Sequence, residues 1–108
     1  MEYDQPILDV EYGTDITIVT LNHEKILDEE QLSELQEYFQ PIIKKNDNKT
    51  IILNFNNVKF MTSSFLGVLI VVHKKVCELG GRIELRNLDP KIRKIFEITR
   101  LTKVFDIS

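Results

Sequence analysis

Cysteine is nearly missing from this chain. Cys77 is the only one in 108 residues, so no disulfide can close within the molecule, and a reducing cytoplasm is the expected setting. Its mid-helix position suits packing. Long apolar runs are also missing: the longest, Leu66–Val72, is far short of the ~20 residues that span a bilayer and fits a buried helix. The opening Met1-Glu2-Tyr3-Asp4 is acidic, unlike the basic start of a signal peptide, so no membrane insertion is expected. Histidine is confined to His23 and His73, which have no Cys/His cluster at metal spacing and are expected as surface or packing residues. The glycines (Gly13, Gly67, Gly80 and Gly81) build no phosphate loop. No serine stands in a glycine-flanked strand-to-helix elbow, and no His–acid pair lies near one in sequence. These absences speak against an enzyme, a cofactor or a metal.

What is present describes one globular domain, expected over residues 1–108. Hydrophobic residues at 43% and charged ones at 29% are enough for a modest core and do not describe a disordered chain. The net charge of −3 is unevenly spread: residues 1–73 hold five Lys/Arg against twelve Asp/Glu, and residues 74–103 hold nine against four. A nucleic-acid site would interleave aromatics with that basic run, and Phe96 alone is nearby. No direct nucleic-acid binding is expected. A solvated face or a docking surface for an acidic protein remains.

The hydrophobic period changes along the chain. Ile7–Tyr12 and Ile16–Leu21 alternate as two strands around Gly13-Thr14-Asp15, which predicts an antiparallel hairpin. Asn22–Leu27 reads as a loop. Asp28 is a helix cap, followed by Leu32, Leu35, Tyr38, Phe39, Ile42 and Ile43 at helical spacing, with Pro41 expected to bend the last turn. Asn46-Asp47-Asn48 is a turn, and Thr50–Phe55 is the nearly all-apolar run of a central strand. Gly80-Gly81 stops the next helix, and Arg82–Arg86 alternates as a strand. Asp89-Pro90 opens a short helix with its stripe at Ile92, Ile95, Phe96 and Leu101, and Val104–Ile107 is a final strand. The sum is an α/β domain of order β-β-α-β-α-β-α-β. Its mixed sheet of about five strands carries helices packed against it, with the hairpin at one side.

The chain is organised around residues 56–80. After Val58-Lys59-Phe60-Met61, Thr62-Ser63-Ser64 open a helix whose start is apolar on nearly every side: Phe65, Leu66, Val68, Leu69, Ile70, Val71 and Val72. Such a helix must be buried in the fold, in a partner, or in both. The three hydroxyls are placed to cap free N–H groups, and they stand at the positive end of the helix dipole, where a phosphate is favoured.

Ile52-Leu53-Asn54-Phe55, then Val58-Lys59-Phe60-Met61-Thr62-Ser63-Ser64-Phe65-Leu66-Gly67, resembles the signature of STAS domains, the anti-sigma factor antagonist family. Its familiar form is a strand, an apolar turn, then Asp-Ser-Ser/Thr-Gly-Leu-Gly entering a helix. Leu85-Arg86-Asn87-Leu88-Asp89-Pro90, with Ile92, Phe96, Leu101, Val104 and Phe105, is similar too, so the likeness covers essentially the whole chain. The resemblance implies a cytoplasmic partner-switching regulator that binds an anti-sigma factor doubling as a serine protein kinase. Phosphorylation at the position matching Ser63 (Ser64 and Thr62 being secondary) releases it, and a serine phosphatase resets it. Thr62, Ser63, Ser64, Phe65, Val68, Val71 and Val72 form the expected partner surface.

The sequence departs from the pattern at several places. Thr62 replaces the acidic residue before the serine, Phe65 replaces the glycine after the pair, and Asn54 replaces an acid often found on the preceding strand. The family's usual helix after the last strand has no counterpart before Ser108. Phe65 would either shield the serine or add an apolar contact to a partner. These changes also suit a STAS binding module that is not phosphorylated, such as a subunit of a lipid-transport ABC complex.

Overall fold

The computed structural model describes residues 6–46 and 49–107. The expected hairpin forms from β1 (Leu8–Tyr12) and β2 (Ile16–Leu21), antiparallel with Val10 opposite Val19. Gly13 closes it: its N–H donates to the Ile16 carbonyl at 2.9 Å, and a Cβ there would lie 2.7 Å from that oxygen. Next comes β3 (Lys25–Ile26), a two-residue strand inside the segment expected as a loop. The helix α1 (Glu29–Asn46) follows, then β4 (Thr50–Asn54), a second two-residue strand β5 (Phe60–Met61), α2 (Ser63–Glu78) and β6 (Arg82–Arg86). The chain continues through α3 (Pro90–Ile98), a 3-10 turn over Leu101–Lys103 and β7 (Asp106–Ile107). Leu101 therefore sits in the turn and not in the helix stripe. The turn expected at residues 46–48 falls largely on residues 47 and 48, outside the described residues.

The main sheet has the order β1-β2-β4-β6-β7, antiparallel in the hairpin and parallel elsewhere. Strand alternation divides its faces. Val19, Leu21, Ile51, Leu53, Ile83 and Leu85 point to one side, where Leu35, Phe39 and Ile42 of α1, Phe65, Leu69 and Val72 of α2, and Ile92 and Phe96 of α3 close a single core. Ile16 and Ile18 point to the other side and stay exposed. No described helix is long and apolar enough to cross a membrane.

Local chemistry sets the element ends. Asp28 and Gln31 form a reciprocal capping box: the Gln31 N–H donates to Asp28 Oδ1 at 2.8 Å, and the Asp28 N–H donates to Gln31 Oε1 at 3.2 Å. The same amide oxygen also accepts from the Leu27 N–H, and Gln31 Nε2 donates to the Lys25 carbonyl at 2.7 Å. This box ties β3 to α1. The helix continues past the exposed Pro41 to Asn46, because a proline on the water side leaves its freed carbonyl to solvent. At the end of α2, Gly80 takes φ 83°; its N–H donates to the Cys77 carbonyl and that of Gly81 to the Val76 carbonyl. This is the paired bonding of a Schellman stop, which a glycine allows at no steric cost. Asp89 caps α3 by accepting from the Lys91 N–H at 3.0 Å, with Pro90 in the first turn, as the sequence predicts.

Candidate functional site

The start of α2 is positioned from both sides. The Glu24 carbonyl accepts from the N–H groups of Lys59 and Phe60, and the Ile26 carbonyl accepts from Thr62. Parallel pairing of Lys25 with Phe60 and Ile26 with Met61 fixes the entry into the helix. On the strand side, Asn54 Oδ1 accepts from the Asn56 N–H at 3.0 Å and from Asn87 Nδ2 at 2.9 Å. Asn87 takes φ 61°, a left-handed conformation that asparagine tolerates. Asn54 thus braces the loop leading to Ser63.

The three hydroxyls at the helix start separate. Thr62 is the N-cap residue, with φ −93° and ψ 163°, but its side chain caps nothing. Its Oγ1 is buried and has no hydrogen-bond partner among the described residues. The capping role expected for the hydroxyls is therefore corrected at Thr62: the side chain is turned into the protein, away from the free N–H groups. Ser63 and Ser64 are exposed, and neither hydroxyl is hydrogen-bonded among the described residues. No acidic residue stands in the first turn, so the positive end of the helix is uncompensated by its own carboxylates.

The apolar residues separate too. Phe65 is fully buried, with its ring centroid 6.2 Å from that of Phe55. It neither shields Ser63 nor reaches a partner. Val68 and Val72 are likewise buried in the core, so with Phe65 they leave the expected partner surface. Val71 remains, 50% exposed, and Ile70, not singled out from sequence, joins it at 41%. With Gly67 between them and the serines, Ser63, Ser64, Ile70 and Val71 make the outward strip of α2. Beside it, a cavity of about 240 Å³ between α1 and α2 is lined by Phe39, Ile43, Val68 and Val71 among others.

The histidines do not meet. His23 Nδ1 lies 3.2 Å from Gln31 Nε2, and His73 packs edge-on to Phe105 with its Nε2 3.6 Å from the Cys77 thiol. Among the described residues no cluster of three or more His, Cys, Asp or Glu could hold a metal.

The STAS domain family model matches residues 8–108. The Anti-sigma-B factor antagonist of Bacillus subtilis is 34% identical over 74 residues, covering 68% of this chain and 66% of that protein, just under two thirds of its length. The Anti-sigma F factor antagonist of Paenibacillus polymyxa is 25% identical over 100 residues, covering 93% of this chain and 84% of that one. The anti-sigma factor antagonist SpoIIAA in its unphosphorylated form superimposes with a TM-score of 0.77 at 24% identity, covering 94% of this chain and 87% of that one. The phosphorylated form of SpoIIAA, from Bacillus, gives 0.70 at 22% identity, covering 94% and 90%. At these identities the solved structures show the fold.

Proposed function

This chain belongs to the STAS domain family, and on that premise we propose that it is a cytoplasmic partner-switching regulator controlled by phosphorylation of Ser63. Its unphosphorylated form binds an anti-sigma factor that is also a serine kinase, a phosphoryl group on Ser63 breaks the complex, and a serine phosphatase restores it. The curated relatives are named for antagonism of anti-sigma factors, and in this reading the chain acts by binding a partner.

One observation carries this reading: an exposed, unbonded Ser63 hydroxyl at the first residue of α2, on the same strip as the exposed Ile70 and Val71. Thr62, with its oxygen buried, is poorly placed to receive phosphate, and Ser64 is the second acceptor. About two negative charges at a helix N-terminus favour the helix and leave it folded. The same charge opposes burial of the neighbouring apolar strip against another protein. A loss of ~3 kcal/mol in binding weakens association more than a hundredfold. The switch therefore acts on docking and spares the fold, and a protein of this fold exists in a phosphorylated form.

The test is incubation with an anti-sigma serine kinase of the source cell and ATP, followed by peptide mapping. Phosphate is expected on Ser63 and lost in Ser63→Ala. Absence of phosphate from residues 62–64 would rule out the switch, and stable binding unaffected by Ser63→Asp would identify an unphosphorylated docking module instead.

A further inference from the structure

Directly ahead of the α2 start, the Phe60 ring is 44% exposed. Two ammonium groups stand over it: Lys25 Nζ lies 5.6 Å from the ring centroid and Lys91 Nζ 5.8 Å. The three residues come from β3, β5 and the first turn of α3, so the tertiary fold assembles the cluster. The adjacent Lys59 is offset by Asp89, with Nζ to Oδ2 at 3.7 Å, while the other Asp89 oxygen caps α3. Lys25 and Lys91 have no such offset, since neither is ion-paired among the described residues. Elsewhere the arginines on the open sheet face are neutralised: Arg82 bonds Asp106 at 2.6 Å and Arg86 bonds Glu84 at 2.8 Å. Two ammonium groups without an ion pair thus stand at an exposed aromatic ring, beside the helix end whose dipole is also positive; Lys45 over Tyr12 is a similar but single pairing, far along the chain from that helix end.

We propose that Phe60, Lys25 and Lys91 receive an acidic segment of the partner protein, its carboxylates between the ammonium groups and an apolar side chain against the ring. The assignment rests on the α2 start being the docking face, and it adds the partner's chemistry to that reading. A matched charge pattern of this kind sets partner choice and association rate. Nucleic acid fits less well, because a single exposed ring with two ammonium groups does not form the row of stacking aromatics along a basic groove that a strand of bases needs. A phosphoryl group on Ser63 would set like charge against the incoming carboxylates.

The isotopically labelled full chain, titrated by NMR with a short peptide of glutamates and interspersed leucines, tests this without any kinase. Saturable shifts are expected at Lys25, Phe60 and Lys91, with affinity falling at least about tenfold in Lys25→Glu/Lys91→Glu and with added salt. Lys25→Arg/Lys91→Arg should retain binding, and Phe60→Ala should weaken it. The spectrum of each variant reports directly that it is folded. No shifts at these residues, an equal response to a lysine–leucine peptide, or tighter binding of an oligothymidine at the same residues would overturn the assignment. Because no phosphorylation is involved, failure here is distinguishable from failure of the Ser63 switch.

Discussion

Thr62→Val separates two opposed expectations for the residue that opens α2. A threonine at an N-cap ordinarily contributes through its side-chain oxygen, and losing that bond costs ~1 kcal/mol. Here the hydroxyl bonds no helix N–H, so nothing is lost at the cap. Its oxygen is instead buried without a partner, a condition costing about 1–3 kcal/mol. Valine keeps the shape, and its branched Cβ suits the extended backbone at φ −93°, ψ 163°. The balance favours the variant. Stability should be unchanged or raised by about 1–2 kcal/mol, an increase in Tm of roughly 4–8 °C per kcal/mol. Urea unfolding measures this as a higher midpoint at constant slope. A loss of about 1 kcal/mol or more at the same slope would show that the hydroxyl caps the helix, and the argument would be refuted. Ser63 phosphorylation should survive the substitution.

Thr17 obeys the same logic without any link to the switch. It is fully buried with its Oγ1 unpartnered, so Thr17→Val should stabilise by about 1–2 kcal/mol in the same assay. Phe65→Ala should cost about 3–5 kcal/mol in denaturant unfolding, because it empties a core position against Phe55 and does not merely trim a docking contact. Gln31→Ala removes the acceptor of two backbone N–H groups and a donor to the Lys25 carbonyl. It should cost ~1 kcal/mol and speed amide exchange across residues 25–28.

The hairpin, the apolar strand at residues 50–54, the glycine stop and the Asp89-Pro90 start were legible because each rests on local chemistry. The β3–β5 pair was not: two residues have no period, and the Glu24 carbonyl finds its donors at Lys59 and Phe60, far along the chain. The helix start at Asp28 was legible too, with Gln31 favourable in its first turn, but the reciprocal bonding of Gln31 back to the Asp28 N–H appears only in the structure. At the candidate site, a helix opening at Thr62-Ser63-Ser64 was legible from the residues, while the choice of Ser63 among them came from the family likeness. Which apolar residues of α2 face outward was not, because Val68, Val71 and Val72 carry the same side chain and only the packing of α1 and the sheet distinguishes them. For the same reason Phe65, which stands where the family pattern has glycine, is assigned to the core only by the packing that sets it beside Phe55.

The proposed switch is tested most directly by the affinity of the kinase-type anti-sigma factor for the wild-type chain and for Ser63→Asp, measured by calorimetry alongside a thermal melt. It predicts binding weakened about a hundredfold, ~3 kcal/mol, with Tm unchanged or raised by the added charge at the helix start. Equal affinity, or weakening that comes only with unfolding, would contradict it.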